Sequence, residues 1–375
     1  MLCTRGKLLR MIFLALPRVR HAMAIVLLTS ACAPRDAATR TADSSHAGGR
    51  TSMTEHARPL IIAHRGASGH RPEHTLPSYD LAITMGADYI EPDLVMTRDH
   101  VLVARHENQI GGTTDVAERF PDRKRTQTID GERVTGWFTE DFTLAEVKSL
   151  RARERVATRS HVYDGQFTVP TFDEILDLVR RRERESGRTI GVYPETKHPS
   201  HFRAIALPLE DSLLAVLARH GFRGASDAVF IQSFEVGNLR ALHTRTTIRL
   251  VQLLNIEGAP PDLAAAGDRR RAADFVTPAS LREIATYASA IGAHKALVLP
   301  PRLPGAPPRP TALVRDAHAA GLAVHVWTLR SDAPFLGVEY GGNAAAEWQA
   351  FASLGVDGIF GDFPDVGVRA LGPRR

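Results

Sequence analysis

Beyond residue 32 the chain has no cysteine, for Cys3 and Cys32 are its only two. The body of the protein therefore has neither a disulfide nor a thiolate metal site, and must rest on an ordinary apolar core. Acidic residues are missing from the first 32 positions, which hold Arg5, Lys7, Arg10, Arg18 and Arg20 before the apolar run AMAIVLLTSA and Cys32. A basic start, an apolar stretch too short to span a bilayer and small residues ahead of a cleavage point describe an export signal over 1–32, with Met11 or Met23 as alternative starts. A net basic charge is also missing once that leader is set aside. Five of the 47 Lys and Arg precede Cys32, and beyond it 42 bases meet 42 acids. The basic balance belongs to the leader, so no nucleic-acid partner is expected.

Residues 33–58 nearly lack large apolar side chains and are expected to form a disordered tether. As a flexible coil it would span roughly 25–30 Å on average. The TSAC at 29–32 resembles the box that ends bacterial lipoprotein signals, with Thr29 where leucine is usual. Lipidation of Cys32 would tether an exported, periplasmic domain to a membrane.

From residue 59 to 372 short apolar runs alternate with helical patterns. Strands are expected at Leu60–His64, Ala87–Val95, Val101–His106, Ile190–Glu195, Val229–Phe234, Arg249–Leu254, Ala296–Leu299, Ala323–Leu329 and Gly358–Phe360. The clearest helix starts at Thr171, where Thr171 and Glu174 make a capping box, and Arg180, Arg181 and Arg182 fall near its C-terminal end. Such alternation implies a parallel sheet. The link between Val95 and Val101 is too short for a parallel crossover, so those two strands form a hairpin and eight remain parallel. The expected fold class is α/β, a (β/α)₈ barrel (TIM barrel) with an inserted small subdomain over 107–170. An open doubly wound sheet is the alternative, but no glycine-rich phosphate loop follows the first strand. The proline-rich stretch 300–310 reads as a stiff surface connector.

Barrels of this kind carry their chemistry at the C-terminal ends of the strands. There the sequence puts His64 and Arg65, Glu91 and Asp93, Glu195 and Lys197, and Trp327. A hairpin turn centred on Arg98–Asp99 would set His106 opposite Glu91, on the face shared with Asp93. Each carboxylate alone could be a structural ion pair. Three in one mouth favour a hard divalent cation, Ca²⁺ or Mg²⁺. Arg65 and Lys197 supply positive charge for an anionic ligand, and two neighbouring histidines point to phosphoryl chemistry.

The HRG of 64–66 is a weak signal by itself. Together with E-x-D at 91–93, the strand leading to His106 and PETK at 194–197, it resembles the glycerophosphodiester phosphodiesterases. The stretches AHRGASG-x-x-PEHTLP (63–77), GADYIEPDLVMT (86–97), TDVAERFPDR (114–123), FTLAEVKSL (142–150) and GIFGDFPD (358–365) are similar to the periplasmic branch of that family. The resemblance implies a barrel with an insertion and divalent-cation-dependent hydrolysis of glycerophosphodiesters, Ca²⁺ being favoured. It implies His64 and His106 as the acid/base pair, Glu91, Asp93 and Glu195 as metal ligands, and Arg65 and Lys197 on phosphate. Trp327 would pack on the glycerol moiety. Glu107 departs from the family, which commonly has Asp after that histidine. Two alternatives stay open at this point: a lysophospholipase D-like enzyme on a related lipid diester, and a non-catalytic lipoprotein that only captures glycerophosphodiesters. Head-group preference and oligomeric state are set by none of these motifs.

Overall fold

The structure, a computed structural model, describes residues 58–373. The expected leader, Cys32 and the tether up to residue 57 lie outside the described residues. Arg58, expected to be the last residue of the tether, already belongs to the fold, since its Nη1 donates to Oδ2 of Asp88 at 2.6 Å.

The strands in chain order are β1 (Leu60–His64), β2 (Tyr89–Glu91), β3 (Asp93–Met96), β4 (Leu102–Ala104), β5 (Arg125–Ile129), β6 (Glu132–Gly136) and β7 (Gly191–Val192). They continue with β8 (Glu195–Thr196), β9 (Phe230–Ser233), β10 (Arg249–Leu254), β11 (Ala290–His294), β12 (Ala323–Leu329) and β13 (Gly358–Gly361). Pro92 separates β2 from β3, and Pro194 lies between β7 and β8, because proline offers no N–H to the ladder. Counted as one each, these segments give eight parallel positions. Pairing runs from β1 to β2/β3, β7/β8, β9, β10, β11, β12, β13 and back to β1, which closes the expected barrel. Helices connect most of them. The one over Phe172–Ser186 opens on the Thr171–Glu174 capping box and stops at Gly187 in the left-handed region. Arg180, Arg181 and Arg182 lie a turn or more before that end, where Arg180 pairs with Glu183 and Arg182 with Asp80, and Arg184 is the base of the last turn.

Two expectations need correction. The strand placed at Ala296–Leu299 is a short helix, Lys295–Val298, and the barrel strand is Ala290–His294. AIGAH has one bulky branched residue, Ile291, too few to mark a strand, and its glycine is required by packing. A Cβ on Gly292 would come within 2.5 Å of Leu253. The hairpin register also differs by one residue, with Leu94 opposite Ala104 and Met96 opposite Leu102. The loop holds three residues, Arg98–His100, with His100 at φ 61°, and Thr97 N–H donates to the Val101 carbonyl. His106 therefore does not face Glu91 across a ladder. It lies two residues beyond the end of β4.

Residues alternate between the barrel's inside and its outer, helix-covered face. On the inside, Ile62, Tyr89, Tyr193, Phe230, Val251 and Phe360 pack as one apolar cluster. Tyr193 stacks on Phe230 at 5.0 Å and meets Phe360 edge-on at 4.9 Å, while its hydroxyl bonds Nδ1 of buried His325 at 2.6 Å. Two residues further along the same strands, in the same phase, come His64, Glu91, Glu195, Gln232, Leu253 and Asp362. The aromatic plug is thus the floor, and the polar layer sits on it.

The plug fixes Gly191, where a Cβ would lie 2.1 Å from the Tyr89 ring. Gly191→Ala should destabilise the protein by ~1–3 kcal/mol through overpacking. In urea unfolding, Tyr89→Leu combined with Gly191→Ala should cost less than the two single changes added together.

Candidate active site

The polar layer opens into a cavity of about 310 Å³ lined by His64, Arg65, Glu91, His106, Glu195, Lys197 and Trp327, with Arg155, Gln232, Phe234 and Arg330 also on its wall. Of the eight residues named from the sequence only Asp93 is not on this wall. It lies beneath, where Glu91, Asp93 and Glu195 each offer an oxygen within 4.8 Å of the others. All three are buried.

Their partners decide what the cluster can hold. Glu91 accepts from the Arg65 backbone N–H at 2.8 Å and from Gln232 Nε2 at 3.0 Å, with no cationic side chain on it. Asp93 takes His74 Nε2 at 3.0 Å and Arg65 Nε at 3.2 Å on one oxygen, Oδ2. Its Oδ1 is buried without a hydrogen-bond partner, as is Oε1 of Gln232. Glu195 is 3.0 Å from Lys197 Nζ. The acids are therefore not locked onto separate guanidinium groups. Burial, with Asp93 and Glu195 adding repulsion, pushes Glu91 well above the ordinary carboxylate range. Burial pushes Glu195 up to about 8 against the pull of Lys197. Asp93 goes the other way: burial opposes its charge, but His74, Lys197 and Arg65 hold it low. An all-oxygen, buried cluster with an orphaned acceptor fits a hard divalent cation.

Both histidines reach the cavity with one nitrogen already committed. His64 Nδ1 is 2.6 Å from Oδ1 of Asp362, and His106 Nδ1 is 2.8 Å from Oε1 of Glu107. Burial opposes charge on Asp362, yet His64, Arg330 and Arg159 hold it well below its usual range. It is an acceptor only, so the His64 Nδ1 carries the proton and Nε2 is left with a lone pair. Burial, and then Arg65, lower His64 to about 4, so the imidazole is neutral at pH 7. His106, half-buried, is also lowered, by burial and by Arg65 and Lys197. Glu107 is in reach although it is longer than the family's usual aspartate.

Arg65 is not a bare cation, because Nη1 donates to Glu73 at 2.9 Å. Arg155, from the insertion, binds the same Glu73 oxygen at 2.8 Å. Trp327 is half-buried on the wall, with Phe234 edge-on at 5.8 Å and Nε1 donating to the Gly292 carbonyl at 2.8 Å. It is a packing residue with part of its surface open to the cavity. Sequence reasoning had not picked out Asp362, Glu73, His74, Gln232, Arg155, Arg159 or Arg330 for the site. Asp362 could have been found from strand phase, as it follows Phe360 by two. Glu73 and His74 lie within a stretch that carried the family resemblance. The insertion's arginines had no such signal.

Residues 64–366 match the model of the glycerophosphoryl diester phosphodiesterase family. The chain is 34% identical over 355 residues to the glycerophosphodiester phosphodiesterase GDPD6 of Arabidopsis thaliana, covering 90% of this chain and 92% of that one. It is 30% identical over 360 residues to a glycerophosphodiester phosphodiesterase of Haemophilus influenzae, covering 88% and 94%. Among solved structures, a glycerophosphodiester phosphodiesterase from Agrobacterium tumefaciens superposes with a TM-score of 0.52 at 22% identity, over 83% of this chain and 99% of that one. An Oleispira antarctica phosphodiesterase, solved with its product sn-glycerol-3-phosphate, gives 0.56 at 20% identity, over 84% and 97%. At those identities the structural likeness bears on the barrel fold alone.

The carboxylate cluster makes a prediction about stability. An acid whose proton affinity is raised by folding stabilises less as pH rises from the unfolded value to the folded one, because the unfolded chain releases its proton first. For Glu195 that window runs from about 4.5 to about 8. The melting temperature of chelator-treated protein should therefore fall across this range, and Glu195→Gln should flatten the fall.

Proposed function

This chain belongs to the glycerophosphoryl diester phosphodiesterase family, and on that premise we propose that it hydrolyses glycerophosphodiesters to an alcohol and glycerol 3-phosphate, by two-histidine acid/base catalysis at a divalent-cation site. One observation carries the reading. Two imidazoles, each held at Nδ1 by a carboxylate, line the same cavity as the buried acidic cluster. A protein that only captured such diesters would have no use for that pair.

Glu91, Asp93 and Glu195 would hold the cation, with Ca²⁺ favoured over Mg²⁺ because three side-chain carboxylates suit its larger oxygen shell. When bound, such a cation supplies positive charge that polarises a phosphoryl oxygen. The chain's own residues do the rest. Arg65 and Lys197, with Arg155 and Arg330 on the same wall, draw the phosphate anion to the mouth. Trp327 and Phe234 give the glycerol carbons an apolar flank. One histidine takes the proton of the attacking hydroxyl through Nε2. The other enters as the imidazolium, which the bound phosphate anion favours, and delivers its Nε2 proton to the departing alcohol oxygen as that bond to phosphorus breaks. The proton gained by the first ring restores the pair for the next turnover. The buried Asp362 and the Glu107 carboxylate hold both rings through Nδ1–H and so leave Nε2 for the substrate. A cavity of about 310 Å³ suits this small polar diester better than a lysophospholipid with its acyl chain. The basic, acid-free leader supports export, so the reaction is assigned to the periplasm, with Cys32 as an anchor.

The test is choline release from glycerophosphocholine. Turnover should vanish with chelator and return with Ca²⁺, while lysophosphatidylcholine should be a poor substrate. Stoichiometric binding without turnover would favour the capture protein. His64→Ala and His106→Ala should each lower kcat by about 10²–10⁴-fold with the folded far-UV spectrum intact. Near-normal rates in either would remove that residue from the chemistry.

A further inference from the structure

His198 follows Lys197 directly and has its backbone in the left-handed region, φ 46°, just before the helix Pro199–Ala204. Its ring is mostly enclosed and spans two carboxylates. Nε2 is 2.7 Å from Oε2 of Glu107, and Nδ1 is 2.6 Å from Oδ2 of Asp130. Carboxylates only accept, so both ring nitrogens donate and His198 is an imidazolium. Burial opposes that charge, but Asp130 and Glu107 push its proton affinity up to about 9. The other oxygen of Glu107 takes Nδ1–H of His106. Asp130 comes from the insertion. It forms with Gly131 the two-residue turn of the β5–β6 hairpin, both at positive φ, with Ile129 paired to Glu132. An unbroken chain, His106–Glu107–His198–Asp130, thus joins the cavity to the tip of that hairpin.

We propose that His198 is a positioning residue for His106, fixing the Glu107 carboxylate and coupling it to Asp130 of the inserted hairpin. The need for it lies in Glu107, whose side chain is 45% exposed. Without His198 the carboxylate is free to rotate into solvent. His106 Nδ1–H then loses its partner, and neither its tautomer nor its ring orientation is fixed. This inference rests on the reading of His106 as a proton carrier, and its test separates the two.

The experiment measures kcat and KM for glycerophosphocholine with saturating Ca²⁺ in the full-length protein. His198→Ala and His198→Asn should each lower kcat by about 10- to 100-fold and leave KM within about twofold, the scale seen when an outer partner of a site histidine is lost. Asparagine tolerates the left-handed backbone, so this variant keeps the fold where alanine strains it. His198→Gln, whose amide still donates to Glu107, should recover part of the loss. Asp130→Asn keeps an Asx-Gly turn and should cost a few-fold in the wild type, but nothing further beside His198→Asn. Unchanged kcat in the asparagine variant, or a rise in KM alone, overturns the proposal. His106→Ala is the control. If it retains turnover, the underlying reading fails; if it is inactive while His198→Asn is normal, the positioning role alone fails.

Discussion

Three carboxylates lie within 4.8 Å of one another in a buried layer on top of an aromatic plug. At an effective dielectric of ~20, each charged pair at that distance repels by roughly 3 kcal/mol. Everything around the cluster is arranged in answer to this. Arg65 takes one oxygen of Asp93, and Lys197 takes Glu195. Glu91 has only neutral donors, and an oxygen of Asp93 has none. Two local cations against three acids leave the layer one positive charge short of balance. Arg65 is shared with Glu73 besides, so the shortfall is larger than a count of one to one suggests. Protons retained on Glu91 and Glu195 meet that shortfall in the bare cluster. A divalent cation held there would take their place, and Arg155 and Arg330 on the same wall would add positive charge for an anion.

The fold and the centre of the site were legible because they depend on period and on strand ends. Alternation along one strand puts an apolar or aromatic residue low and a polar residue two positions higher, and this holds for Ile62/His64, Tyr89/Glu91, Tyr193/Glu195 and Phe230/Gln232. Those signals are local and survive in the sequence. The failures have equally local causes. The hairpin register turned on whether His100 belonged to the loop, which depends on one left-handed residue. The strand Ala290–His294 was hidden by its small residues, of which Gly292 is required by a close neighbour, Leu253. The Asp-Gly at 130–131 within TQTIDGERVTG is a strong local hairpin signal, and it joins β5 to β6. Long-range partners such as Arg159 with Asp362 are different. Their separation of 203 residues leaves no local trace.

The insertion is built into the polar layer around the cavity. Arg159 donates to Asp362 at 2.5 Å, to Asp332 at 2.6 Å and to the Ser68 carbonyl at 3.1 Å, joining loops at three strand ends. Arg155 reaches Glu73 and so braces Arg65. The β5–β6 hairpin supplies Asp130. A long segment between β4 and β7 thus contributes to both sides of one cavity, and its loss would expose the carboxylates behind both histidines.

Those two sides share a pattern. His64 leads to Asp362, then to Arg159, then to Asp332; His106 leads to Glu107, then to His198, then to Asp130. Each imidazole is backed by a carboxylate, each carboxylate by a cation from outside the cluster, and each cation by a second carboxylate. The difference lies in the third member. A guanidinium keeps its charge at any accessible pH, so the support of His64 is fixed. An imidazolium does not. With Glu107 and Asp130 on either side and Lys197 opposing, His198 keeps its proton through neutral pH and gives it up near 9. The stabilisation from that charge is complete below the unfolded value near 6.5 and is lost as pH rises through the folded one. One histidine of the pair is thus held by a permanent charge and the other by a titratable one, so alkaline solution loosens the His106 side of the cavity before the His64 side.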